Sequence, residues 1–113
     1  MLIVEDDPAT VSALRMLLTR KGCKVRVART ISDAFIELRD VPDVVILDLM
    51  LPDGSGVSVL RHVREQHLKI RVAVTTATSD QEALAEVERL SPESLMRKPI
   101  DVIELYRALE IIG

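Results

Sequence analysis

Short apolar runs and longer stretches of helical periodicity take turns along the chain. LIV at 2–4 reads as a strand. PATVSALRMLLTRKG, 8–22, then places Val11, Leu14, Leu17 and Leu18 on one helical face, with Pro8 suited to the first turn and Gly22 to the stop. KVRVA at 24–28 alternates charged and apolar residues as a half-buried strand does, and Lys24 and Arg26 mark it as a sheet edge. SDAFIELRD, 32–40, predicts a helix with Ser32 as its N-cap, and Pro42 breaks the chain before a strand DVVIL at 43–47.

The second half repeats the alternation. GVSVLRHVREQH puts Val57, Leu60 and Val63 on one helical stripe, IRVAVT at 70–75 is a strand, and SDQEALAEVERL at 79–90 is a capped helix. SLM at 94–96 is a short strand, and PIDVIELYRALEII closes the chain with a helix. Five strands alternating with five helices predict an α/β fold, a parallel sheet wrapped on both faces with right-handed crossovers. VVIL, 44–47, is apolar on both faces and belongs at the centre of that sheet. No linker, low-complexity stretch or repeat divides the chain, so residues 1–113 read as one domain.

Composition agrees. A chain of 113 residues buries roughly two-thirds of the surface its unfolded form exposes, enough for one core. With Phe35 and Tyr106 as the only aromatics, aliphatic side chains must do the packing. The net charge of -3 and pI near 5.4 argue against nucleic acid as the main partner of this segment, because phosphate binding needs a basic face. Cys23 is the only cysteine, which rules out an intrachain disulfide and fits a reducing cytoplasm; it reads as a small apolar filler rather than a redox sensor. The opening MLIVEDD shows neither a charged leader nor a long apolar run, so no signal peptide or membrane span is expected.

One strand raises a question of chemistry. VVIL runs directly into Asp48 and then into a Pro52, Asp53 and Gly54 turn. In open parallel sheets the binding crevice lies outside the carboxyl ends of the strands, where the strand order reverses. Glu5, Asp6 and Asp7 follow the first strand as Asp48 follows the third, so the carboxylates converge if those strands are neighbours. Carboxylates crowded into a partly dry crevice need a cation, and oxygen ligands favour Mg²⁺ or Mn²⁺ over zinc. Thr76 after the fourth strand and Lys98 after the fifth add a hydroxyl and a positive charge to the same rim.

Taken in order and at the strand ends, LIVEDD, ILDLMLPDGSG, VTTA and RKPI resemble the receiver domain of two-component response regulators, across essentially the whole sequence. The resemblance implies a flavodoxin-like five-stranded parallel sheet of order 2-1-3-4-5, with five helices on both faces. It makes Asp48 the phosphoacceptor and Glu5 with Asp6 the acidic pair, Asp7 falling one place beyond. Asp6, Asp48 and the backbone carbonyl of Met50 are expected to hold Mg²⁺ (or Mn²⁺) directly, and Glu5 through water. Lys98 is expected to pair with Asp48 and then with the phosphoryl oxygen, and Thr76 to donate to that group as the switch residue. The small Ala77 leaves room for the donor, and the Lys98–Pro99 peptide is expected to be cis. Met50 and Thr78 flank the path of the hydrolytic water. The implied partners are a sensor histidine kinase or a histidine phosphotransfer protein, with a homodimer allowed and no direct contact with nucleic acid or membrane. The chain would catalyse only its own phosphorylation and slow autodephosphorylation.

Each residue also has an ordinary explanation. The acids favour a helix start, Asp48 can cap a turn, Thr76 can be a core hydroxyl, and Lys98 can be a surface charge. His62 and His67 lack ligand partners and read as surface residues, and RKGCKVR as a solvated face. The chain also departs from the family pattern. Leu95 stands where many receivers carry Tyr or Phe, and Ser91 and Pro92 where Gly and Ala are common, which predicts a stiffer loop. A phosphate-independent pseudo-receiver therefore remains an alternative. An aspartate-nucleophile phosphatase is a weaker one, because Met50 occupies the place of its usual second acid. Ending at Gly113, the chain reads as a single-domain regulator or as a receiver cut from a longer protein.

Overall fold

The computed structural model describes residues 1–112, with side chains described through Leu109. In chain order the elements are β1 (Leu2–Val4), α1 (Pro8–Arg20), β2 (Arg26–Ala28), α2 (Ile31–Glu37), β3 (Val44–Asp48), β4 (Met50–Leu51), β5 (Gly54–Ser55), α3 (Val57–Glu65), β6 (Arg71–Thr76), α4 (Gln81–Arg89), β7 (Ser94–Arg97) and α5 (Val102–Ile112). Five strands form one parallel sheet in the order β2-β1-β3-β6-β7, which is the expected flavodoxin-like order counted over those five strands. The order reverses between β1 and β3, so their carboxyl ends open a crevice side by side.

Alternation along the strands sorts the interior into two cores. Leu2, Val4, Val45, Leu47, Val72 and Val74 face one way and pack with Ala34, Leu60, Val63 and Val87 of α2, α3 and α4. Ile3, Val44, Ile46, Ala73 and Met96 face the other way, against Leu14 and Leu18 of α1 and Leu105 and Ala108 of α5. Cys23 packs beside this second cluster, as an apolar filler should.

Local chemistry moves several boundaries. Helix α2 is capped by Thr30, not Ser32: the Thr30 hydroxyl accepts from the Asp33 amide at 3.0 Å, while the Ser32 amide and hydroxyl are both taken by Asp53. The helix stops at Glu37 in a turn where the Asp40 amide meets the Glu37 carbonyl, and Arg26 reaches across from β2 to the carbonyls of Glu37 and Asp40 and to the Glu37 carboxylate at 2.9 Å. Arg26 thus sits on the edge strand as expected, but as a partnered residue rather than a freely solvated one. Helix α5 begins at Val102, three residues later than the sequence suggests, with the Asp101 carboxylate accepting from the Ile103 and Glu104 amides.

The hairpin of β4 and β5, with Met50 opposite Ser55 and Leu51 opposite Gly54, was not expected. His62 is half-buried, with its ring edge-on to Phe35 at 5.0 Å between centroids, whereas the sequence suggested a plain surface residue. His67 is exposed as expected.

Candidate functional site

The carboxyl ends of β1, β3, β6 and β7 deliver their residues to one rim. Glu5 follows β1 and is 2% exposed, its amide tied to the Ala28 carbonyl of β2. Asp48 ends β3 and is 3% exposed, paired in register with Thr75 of β6. Thr76 ends β6 and is wholly buried. Lys98, just past β7, donates its amide to the Thr76 carbonyl at 2.8 Å, which aims its side chain back over the sheet. The Lys98–Pro99 peptide is cis, as expected.

The side chains then meet. Lys98 Nζ lies 2.6 Å from Glu5 Oε1 and 3.2 Å from Asp48 Oδ2. Glu5 Oε2 accepts from the amides of Asp6 and Asp7, and Asp48 Oδ1 from the amide of Met50 at 3.2 Å. One carboxylate oxygen from each of Glu5, Asp6 and Asp48 falls within 4.8 Å of the others. Burial, and then the neighbouring Asp48, push the Glu5 carboxyl above its ordinary range against the pull of Lys98. Burial alone would lower Lys98, but its hydrogen bond to Glu5 and the charge of Asp48 outweigh that and hold it above its ordinary value. A rim with three acids and one lysine suits a hard divalent cation, for which the donor set is all oxygen.

The remaining expected residues lie around this rim in different states. Met50 is 60% exposed beside Asp48, while Thr78 is half-buried with its hydroxyl accepting from the Asp80 amide at 3.1 Å. Leu95 is opposite Val74 and packs against the first core cluster. Asp7 stays out of the cluster and caps α1, accepting from the amide and hydroxyl of Thr10, which lower its carboxyl below the usual range.

Two supporting residues were not recognised from the sequence. A side chain at Gly56 would put its Cβ 2.1 Å from the Asp48 carbonyl oxygen, so only glycine lets the chain close beneath Asp48. Asp53 accepts from the amides of Ile31 and Ser32 at 2.8 and 3.2 Å, and these bonds hold its carboxyl below the ordinary value. Asp53 stands in the turn and Gly56 two residues beyond it, but the partners that give each its role lie elsewhere in the sequence and left no local signal.

The family described as the response regulator receiver domain matches residues 1–110. Among curated proteins, the transcriptional regulatory protein KdpE of Staphylococcus aureus is 32% identical over 112 residues, covering 98% of this chain and 48% of that protein. TrcR of Mycobacterium tuberculosis, also a transcriptional regulatory protein, is 34% identical over 111 residues, covering 96% of this chain and 42% of its own length. The chain thus spans about half the length of these relatives. Among solved structures, a putative response regulator from Chloroflexus aurantiacus superposes with a TM-score of 0.86 at 28% identity, covering 98% of this chain and 94% of that one. A CheY-like receiver domain protein from Methanospirillum hungatei shares the fold, with a TM-score of 0.90 at 20% identity over 96% of this chain and 88% of its own. No helix among the described residues is long and apolar enough to cross a membrane. Since the family match runs from the first strand into the last helix and takes in every strand of the sheet, the chain belongs to the response regulator receiver domains of two-component signalling.

Proposed function

We propose that this domain is a phosphorylation switch in which Asp48 accepts a phosphoryl group from a histidine kinase or a histidine phosphotransfer protein. The observation that carries the reading is the meeting of buried Asp48 with Glu5, Asp6 and Lys98 at the rim. A carboxylate oxygen of Asp48 attacks phosphorus, the bond from phosphorus to the donor's imidazole nitrogen breaks, and the imidazole leaves with its electron pair. Lys98 already touches Asp48 and is placed to follow the charge onto the phosphoryl oxygens. Thr76 supplies a hydroxyl at the adjacent strand end.

Glu5, Asp6, Asp48 and the Met50 carbonyl are the proposed holders of Mg²⁺, or of Mn²⁺ in its place. When bound, the ion would neutralise phosphoryl charge. Met50 offers no group to orient an attacking water, and Thr78 is short and carries no charge to act as a base, so the phosphorylated state should be long-lived. The reading includes a cytoplasmic location, one receiver domain over this chain with any output carried elsewhere, and no catalysis beyond gaining and losing its own phosphoryl group. A homodimer is compatible with it.

Incubation with acetyl phosphate and Mg²⁺ followed by intact mass tests it. The expected result is a gain of one phosphoryl group that disappears in Asp48→Asn. No gain, or a gain that survives the substitution, overturns the assignment. The core packing of Leu95, which provides no mobile ring, favours the second reading of a phosphate-independent pseudo-receiver, for which the same experiment gives no mass gain.

A further inference from the structure

The hairpin of β4 and β5 carries the Met50 carbonyl on two strands of two residues each. So short a pair cannot hold its own shape in water and must be anchored from outside. Its base has anchors: the Gly56 amide donates to the Leu49 carbonyl at 2.8 Å, and Leu51 is buried. Its tip is held by the first turn of α2. There Asp53 Oδ1 accepts from the Ile31 amide at 2.8 Å, and Oδ2 from the Ser32 amide and hydroxyl at 3.2 and 3.3 Å. Gly54 comes so close that a Cβ on it would stand 3.2 Å from Ile31 Cδ1. Only Arg29 and Thr30 separate Ile31 from Ala28, whose carbonyl accepts from the Glu5 amide at 3.0 Å. Asp53 therefore joins the segment that bears Met50 to the segment that braces Glu5.

We propose that Asp53 is a positioning residue for the cation site, pinning the hairpin so that the Met50 carbonyl keeps a fixed place relative to Asp48 and Glu5. The inference rests on the reading of Glu5, Asp6, Asp48 and the Met50 carbonyl as the holders of Mg²⁺. A carboxylate can adjust its side-chain torsions to meet an ion, whereas a backbone carbonyl goes only where its chain is held. The demand is strictest for Mg²⁺, which requires near-ideal octahedral geometry; Ca²⁺ accepts looser and more varied arrangements. Three bonds from one carboxylate to a helix start 22 and 21 residues away in sequence meet that demand.

Titration of the ¹⁵N-labelled chain with Mg²⁺ and separately with Ca²⁺, followed through the amide shifts of Asp6 and Leu51, tests the proposal. Asp53→Ala should weaken Mg²⁺ binding about fivefold, the factor for one lost hydrogen bond, and Ca²⁺ binding less than about twofold. Asp53→Asn keeps an acceptor for the Ile31 amide but turns a donor toward Ser32, so its Mg²⁺ affinity should fall between wild type and Asp53→Ala. Thr30→Ala removes the cap of α2 without touching the hairpin, at a comparable cost in thermal stability, and should leave both affinities as in the wild type. An unchanged Mg²⁺ affinity in Asp53→Ala, equal losses for the two ions, or an equal loss in Thr30→Ala overturns the positioning role. Acetyl phosphate and intact mass, run in parallel, keep the two readings apart. A wild type that gains no phosphoryl group, while Asp53→Ala loses Mg²⁺ as expected, sinks the assignment of Asp48 and leaves that of Asp53 standing. A wild type that binds no Mg²⁺ sinks the role of Asp53.

Discussion

At the amino ends of β6 and β7 the guanidinium of Arg64 meets the Glu93 carboxylate at 3.2 Å; at the carboxyl ends a single lysine, Lys98, faces Glu5 and Asp48 with Asp6 close by. The lower cluster closes its own accounts. Glu93 accepts from the Val72 amide, and Arg64 spends its donors on the carbonyls of Leu90 and Ser91. The upper cluster is left with more negative charge than Lys98 balances. Similar groups are thus arranged for cohesion at one end of the sheet and left with unbalanced charge at the other.

The largest way to disturb this contrast is Gly56→Ala, which forces a methyl group against the Asp48 carbonyl. Thermal unfolding should show a loss of about 3 kcal/mol, the upper part of the usual cost of overpacking, together with loss of phosphorylation. Arg64→Met should cost about 2 kcal/mol in chemical denaturation, because it strands the carbonyls of Leu90 and Ser91 and the charge of Glu93. Phosphorylation from acetyl phosphate should persist in that variant; its loss would break the separation of the two ends.

At the rim, replacing Met50 with Asn and Thr78 with Glu should speed loss of the phosphoryl group about tenfold, equal to about 1.4 kcal/mol of barrier. The decay is read by intact mass over time, and an unchanged rate would remove these positions from control of the lifetime. The smallest effect has the opposite sign. Without Mg²⁺ at neutral pH, Asp48→Asn should raise stability by about 1 kcal/mol, the scale of one like-charge contact at a few ångströms, as measured by the denaturation midpoint. A fall in stability instead would mean that the Lys98 contact outweighs the crowding of acids.

The framework was legible because its signals are local and redundant. Alternation in the strands and the three-to-four spacing in Val11, Leu14 and Leu18 reflect burial, and all three are buried. The rim was legible for a related reason, since Glu5, Asp48, Thr76 and Lys98 each stand at or just past the end of an apolar run. The hairpin of β4 and β5 escaped because two-residue strands are too short to show a period. The choice between Thr30 and Ser32 as cap was decided by Asp53, which lies 21 residues from Ser32. Gly56 and Arg64 escaped because their roles depend on Asp48, Leu90 and Ser91, partners that only the folded chain brings near. His62 was misjudged because its Phe35 neighbour comes from another helix.

The division of the interior by the sheet also bears on how such a chain can diverge. Leu47 and Ile46 are adjacent in sequence, yet one packs under α2, α3 and α4 and the other under α1 and α5. Substitutions beneath one helical layer therefore share few neighbours with those beneath the other, and their effects on stability should add. Each outer surface can be rewritten by descent while the opposite one keeps its shape, and the rim between them, fed by both layers, inherits the constraints of each.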